Sequence, residues 1–167
     1  MTRDTCAVLA LSVGIALCPA VAAPQNGAAA PAAVQVCSLL TVQEASTAIG
    51  ETVKDGKPST AGRSMMPNTT ASSCDWASAT TTHNVHINVW RTAPGSPALQ
   101  QMGQMACGKK TKDGLAGLGD VACWYDPKHT ELQVFKGPVF LSVEMSSKAD
   151  PTEAIKTVAK KALDRIK

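Results

Sequence analysis

Four cysteines, Cys37, Cys74, Cys107 and Cys123, are spread along the chain behind an apolar N-terminal stretch that holds two more, Cys6 and Cys18. Thiols persist as structural disulfides mainly in oxidising compartments, so the constraint these residues place on the fold depends on whether the chain is exported. The N-terminus argues that it is. After Met1, Thr2 and Arg3, residues 6–23 are almost uninterruptedly apolar and end in Val21-Ala22-Ala23, small residues of the kind a signal peptidase accepts. Residues 1–23 are therefore expected as a signal peptide, whose removal takes Cys6 and Cys18 with it. The apolar core is short of the about 20 residues that a membrane-spanning helix needs, so no transmembrane span is expected in the mature form. Ile15-Ala16-Leu17-Cys18 ends in a cysteine, but Leu17 stands where a lipidation signal places Gly or Ala. Residues 24–36, rich in Ala and Pro and uncharged, read as a flexible leader, and residues 37–167 as a single globular domain.

The four remaining cysteines form an even set, which predicts two disulfides. A four-thiolate zinc site is the rival, but such sites carry paired C-x-x-C knuckles and none occurs here, so no metal is expected. Three pairings are open. Cys37–Cys74 with Cys107–Cys123 is preferred because each bridge then ties a helix-adjacent segment to the strand that follows it. In the chain-entropy model each such bridge contributes roughly 3–4 kcal/mol.

Composition narrows the class further. Among 167 residues, 44% are hydrophobic and only 17% charged, too apolar for a disordered polymer. The net charge is +3 and no Lys/Arg run exceeds two residues, so nucleic acid is not an expected partner.

Local patterns then place the elements. Thr41-Val42-Gln43-Glu44 is a capping box and Gly50 a helix stop, giving a helix over 42–49. Ser72 to Ala77 reads as a strand. Asn84 to Arg91 alternates strictly, with Val85, Ile87 and Val89 on one face and His86, Asn88 and Trp90 on the other. Ser96-Pro97 opens a second helix in which Leu99, Met102 and Met105-Ala106 recur at helical spacing as far as Gly108. Strands follow at Val121–Tyr125, around Leu132 and Val134, and at Val139–Met145. Asp150-Pro151-Thr152-Glu153 starts a closing amphipathic helix. The expected class is α+β: an antiparallel sheet of five to six strands with three helices packed on one face and two disulfides. Cys74-Asp75-Trp76 and Cys123-Trp124-Tyr125 at matching places in the two halves suggest a degenerate two-fold internal repeat.

Cys37-Ser38-Leu39-Leu40-Thr41, Gly50, Cys74-Asp75-Trp76, Gly117-Leu118-Gly119-Asp120-Val121-Ala122 and the closing amphipathic helix together resemble a family of small envelope-associated domains, known mainly from actinobacterial lipoproteins and without assigned function. The resemblance spans about residues 37–166 and implies the pairing of Cys37 with Cys74. The chain departs from the family in lacking a convincing lipobox and in carrying a second cysteine pair, so membrane tethering does not transfer.

Catalytic chemistry is not written in the sequence. Gly-x-Ser-x-Gly and Ser-x-x-Lys signatures are missing from the mature chain, its cysteines are expected to be oxidised, and no cofactor motif is present. His83-x-x-His86 makes a metal pair only if His83 lies in the turn before the strand, since residues three apart in a strand point to opposite faces. The glycines at 114, 117 and 119 lie between a helix and a strand, the reverse of a phosphate loop, and read as turn glycines. The polar stretch from Lys54 to Ser72 is expected as a mobile loop. What remains is a surface: His86, Asn88 and Trp90, joined by Phe135 or Phe140 from the later hairpin, form an aromatic and polar face of the kind binding interfaces favour. The expected function is an exported, periplasmic or extracellular binding module for a protein, glycan or small ligand, with an inhibitor or immunity-type protein as one form. An enzyme is not expected; the alternative is an envelope-polymer hydrolase with an unrecognised Asp/His site.

Overall fold

The structure is a computed structural model that describes residues 31–59 and 66–166. The expected signal peptide, most of the leader, and residues 60–65 of the expected loop lie outside the described residues. A short 3-10 turn at Val36–Ser38 leads to α1 (Val42–Ile49), then β1 (Lys57–Ser59), β2 (Thr69–Ala77), β3 (Asn84–Thr92), α2 (Ala98–Cys107), β4 (Val121–Trp124), β5 (Glu131–Lys136), β6 (Val139–Ser146) and α3 (Thr152–Arg165). The strands form one antiparallel sheet in the order β1-β2-β3-β6-β5-β4. Both outermost strands are short, as edge strands that resist pairing with other chains are.

The α+β class, the six strands, the three helices and both preferred disulfides are present. α1 starts as its sequence requires: the Glu44 N–H donates to Thr41 Oγ1 at 3.1 Å, the Thr41 N–H donates to Glu44 Oε2 at 2.9 Å, and Gly50 ends the helix at φ 79°. Val36, assigned above to the leader, is buried in the core, so ordered packing begins before Cys37. The Lys54–Ser72 stretch contains β1 and the start of β2, because Pro58 and Cys74 pair in register and carry the chain onto the sheet edge.

One face of the sheet carries Trp76, Val85, Ile87, Val89, Leu132, Val134, Leu141, Val143 and Met145, all buried. α1 and α3 cover it with Ala45, Ile49, Ile155, Val158, Ala159 and Ala162. Glu44 locks those two helices together. Its carboxylate accepts from Arg165 at 2.6 and 2.8 Å and from Lys161 at 3.0 Å, and these contacts hold its pKa far below the usual carboxylate range. The same carboxylate completes the capping box, so one side chain both starts α1 and docks α3.

The expectation that all three helices share this face is corrected by α2, which lies on the opposite one. Leu99 and Cys107 pack there with Cys123, Phe135 and Phe140, while Met102, Ala106, Trp90 and Val121 flank them. The cause is the alternation itself: Phe135, Phe140 and Cys123 fall on the face opposite Val134, Leu141 and Trp124, and so large an apolar area needs its own cover. Gly103 is what lets the helix sit close, since a Cβ there would lie 2.7 Å from the Phe135 ring. Met105, counted above in the helical stripe, points away and is 78% exposed.

The internal repeat does not extend to the cysteine-aromatic pairs. The strand order is palindromic, but a two-fold relation that preserves it exchanges β2 with β5 and β1 with β4. Cys74 lies on β2, facing α1, and Cys123 on β4, facing α2, so the two pairs occupy different places on opposite faces.

Candidate functional site

Strand register turns the α2 face into rows that run across the sheet. The first row is apolar: Ala71, Trp90, Phe140, Phe135 and Val121. The next, Ser73, Asn88, Ser142, Gln133 and Cys123, is neutral and polar apart from its cysteine. The third is charged, with Asp75, His86, Glu144 and Glu131 side by side. α2 covers the β4–β5 side of the first row. Beside it lies a hollow of about 200 Å³ whose lining includes Trp90, Met102, Lys110, Tyr125, Gln133 and Phe140. Tyr125 is 55% exposed, and the Lys110 ammonium sits 3.9 Å from the centre of its ring.

The structure brings His86, Asn88, Trp90 and Phe140 onto one face, as the alternation predicts, but not all of them onto the surface. Phe140 is only 6% exposed, in edge contact with Trp90 at 5.1 Å and stacked at a tilt on Phe135 at 4.8 Å. It is a floor beneath α2 rather than a contact residue, a correction to the expected surface. Trp90 is half-buried at the helix margin.

Asn88 is the unusual member. Its residue is 8% exposed, and Oδ1 is buried with no hydrogen-bond partner. A buried, unpaired carboxamide oxygen costs about 1–3 kcal/mol, and such groups are scarce in native folds. Thr70 Oγ1, Thr92 Oγ1 and Trp124 Nε1 are the other orphaned polar side-chain atoms among the described residues. Trp124 turns to the covered face, where its ring stacks on His129 at 4.5 Å. Asn88 alone of the four lies beside the charged row.

Hydrogen bonds in that row are unevenly distributed. Asp75 Oδ1 is 2.9 Å from His86 Nδ1 and accepts from Asn84 Nδ2 at 3.4 Å. Glu131 Oε1 accepts from Ser142 Oγ at 2.9 Å and from Gln133 Nε2 at 3.0 Å. Glu144, exposed and opposite Glu131 in register, has no such donor among the described residues. No described lysine or arginine pairs with any of these three carboxylates.

His83 does fall in the turn before β3, the placement a His83–His86 metal pair requires, yet the two rings serve separate carboxylates. His83 Nδ1 lies 2.7 Å from Glu51 Oε1, and the hydroxyls of Ser78 and Thr81 each donate to Glu51 Oε2 at 2.7 Å. Those donors, Ser78 first, hold Glu51 down to about 2. The cluster fastens the β2–β3 hairpin to the end of α1. Among the described residues no group of three or more His, Cys, Asp or Glu is arranged to hold a metal.

Two other features are structural. Gly114, Gly117 and Gly119 have φ of 67°, 82° and 66°, the turn geometry expected of them, and a Cβ on Gly119 would lie 2.6 Å from the Phe135 carbonyl oxygen. The groove of about 490 Å³ between α1 and α3, lined by Leu40, Gln43, Glu44, Ala48, Ala154 and Val158 among others, is larger than the hollow beside α2. Its charged rim is already spent on Glu44–Lys161 and Glu153–Lys156 pairs.

Searches for similar proteins find no family model, no curated protein and no solved structure that matches this chain. The α2 face was partly legible in sequence: alternation named His86, Asn88 and Trp90. That Glu144 and Ser142 stand beside His86 and Asn88 follows from β3–β6 pairing, which joins strands about fifty residues apart.

Proposed function

We propose that the protein is an exported, disulfide-stabilised binding module that engages its partner through the α2 face, acting by occupation rather than by catalysis. An inhibitor or immunity-type protein of the bacterial envelope is the form this takes, consistent with the resemblance to small envelope-associated domains. The observation that carries the reading is the desolvated, unpartnered Oδ1 of Asn88, set between an aromatic row and an acidic one. A fold tolerates such a group where a partner supplies the missing hydrogen bond. The two disulfides and the apolar, Ala-ended N-terminus support export, and no helix among the described residues is long and apolar enough to cross a membrane.

The hydrolase reading keeps one support, the 2.9 Å pair of His86 with Asp75. Against it, the serines in the next row are already engaged: Ser73 Oγ donates to the Ser59 carbonyl at 2.8 Å and Ser142 Oγ to Glu131. Among the described residues, every carboxylate whose pKa is displaced is displaced downward, by hydrogen bonds that hold turns and helices, whereas a general acid needs the opposite shift.

The test is capture from periplasmic and secreted extract on the immobilised oxidised protein. One protein retained at one-to-one stoichiometry by wild type and by Val42→Ala on the far side, and lost with Trp90→Ala, is expected. Release of soluble fragments from purified envelope polymer by the same protein, abolished by His86→Ala, overturns the reading in favour of the hydrolase.

A further inference from the structure

The charged row of the α2 face has more acceptors than donors. Asp75, Glu131 and Glu144 bring three carboxylates into one row, and the only basic side chain in that row is His86. Gln133 and Ser142 spend hydrogen bonds on Glu131, and His86 and Asn84 spend theirs on Asp75. The carboxylate of Glu144 and the Oδ1 of Asn88 are left over. They are diagonal neighbours: Asn88 pairs in register with Ser142, and Glu144 with His86, on adjacent strands of the same face. An exposed carboxylate beside a buried, unpaired carboxamide oxygen asks for a ligand with a positive charge and several donors fixed in different directions.

We propose that this acidic grid seats an arginine side chain of a partner protein, with the guanidinium between Glu144 and Asn88 and its aliphatic stem running toward Trp90. The inference rests on the binding-module reading and names the chemistry of its partner. Arginine fits better than lysine because a planar guanidinium carries five N–H donors in a rigid fork, whereas an ammonium is a strongly hydrated point charge. Its stem can lie along apolar surface while the head meets the carboxylate. The partner surface is therefore locally basic.

Titration of the ¹⁵N-labelled, oxidised full chain with N-acetyl-arginine amide, followed by NMR, tests this directly. N-acetyl-citrulline amide, the near-isosteric neutral analogue, and N-acetyl-lysine amide serve as comparisons. Saturable shifts are expected for the Asn88 side-chain NH₂ and the backbone amides of residues 86–88 and 142–144 with the arginine probe, smaller ones with lysine and none with citrulline. Glu144→Gln is expected to weaken the arginine response about ten-fold, as loss of one charged hydrogen bond does. Asn88→Leu is expected to weaken it to a similar degree. Glu153→Gln, on the far side of the molecule, leaves it unchanged. Equal responses to arginine and citrulline, no response to any probe, or shifts that survive Glu144→Gln overturn the proposal. So does capture of a protein partner whose binding is indifferent to Glu144→Gln, an outcome that would leave the binding-module reading standing.

Discussion

The two faces of the sheet solve the same problem with different completeness. On one, the buried side chains Trp76, Val85, Ile87, Val89, Leu132, Val134, Leu141, Val143 and Met145 are apolar and two helices close over them. On the other, α2 covers a single patch of aromatic rings around Phe135, and the remaining area carries Asp75, Asn88, Glu131 and Glu144. Each face has its own disulfide: Cys37–Cys74 joins the α1 entry to the covered face, and Cys107–Cys123 joins the end of α2 to the other. A face closed by apolar burial contributes stability and offers no ligand a hydrogen bond. A face left half open does the reverse.

The contrast is broken most severely on the covered side. Trp76→Ala is expected to cost about 3–5 kcal/mol, read as a lowered urea midpoint, because Trp76 is 1% exposed and nothing nearby can refill its volume. The disulfides come next. Replacing both cysteines of the Cys37–Cys74 pair by alanine opens a loop of sequence separation 37, against 16 for Cys107–Cys123. The expected losses are about 4 and about 3 kcal/mol, the second confined to the α2 side and accompanied by dye binding to the uncovered Phe135 patch. Equal losses with no dye binding in either variant would show that α2 is held without its bridge.

Gly103→Ala sharpens the comparison. Alanine improves helix propensity by about 1 kcal/mol, but the added Cβ meets the buried Phe135 ring at 2.7 Å. A net loss of about 1–2 kcal/mol is expected by denaturation, since a closely packed ring cannot give way freely. The smallest mutational effect is on the open face: Asn88→Leu should leave stability unchanged or raise it by up to about 1 kcal/mol, because it removes a buried, unpaired amide oxygen. A loss of 2 kcal/mol or more, well above that range, would show that the carboxamide is satisfied and structural.

Acid provides a final, weaker probe. Glu51 is depressed to about 2 in the folded protein, so the stability it lends is present above the unfolded carboxylate pKa near 4.5 and is lost as pH falls toward 2. Glu44, depressed further by Arg165, extends the loss to still lower pH. Glu51→Gln should flatten the upper part of that acid limb in pH-dependent melting, with no change at the Asn88 and Glu144 resonances across the sheet. Movement of those resonances would show that the two faces are coupled.

The sequence by itself determined the elements and their inward sides. The Thr41/Glu44 capping box, Gly50, the alternation of β3, the strand at β6 and the amphipathic α3 each encode local geometry within a few residues, and all are found where the patterns put them. It also favoured the two bridges that formed. Tertiary structure decided which face α2 covers, because a helix stripe states that it must be buried but not against what; the ring cluster of Phe135 and Phe140 and the small Gly103 settle that. It likewise decided that Phe140 is floor and that Glu144 stands beside His86, since β3 and β6 meet only after the chain has passed through α2, β4 and β5. Charges and amides carry no periodic signal of their own, so which of them end up adjacent depends on long-range register, which local pattern does not specify.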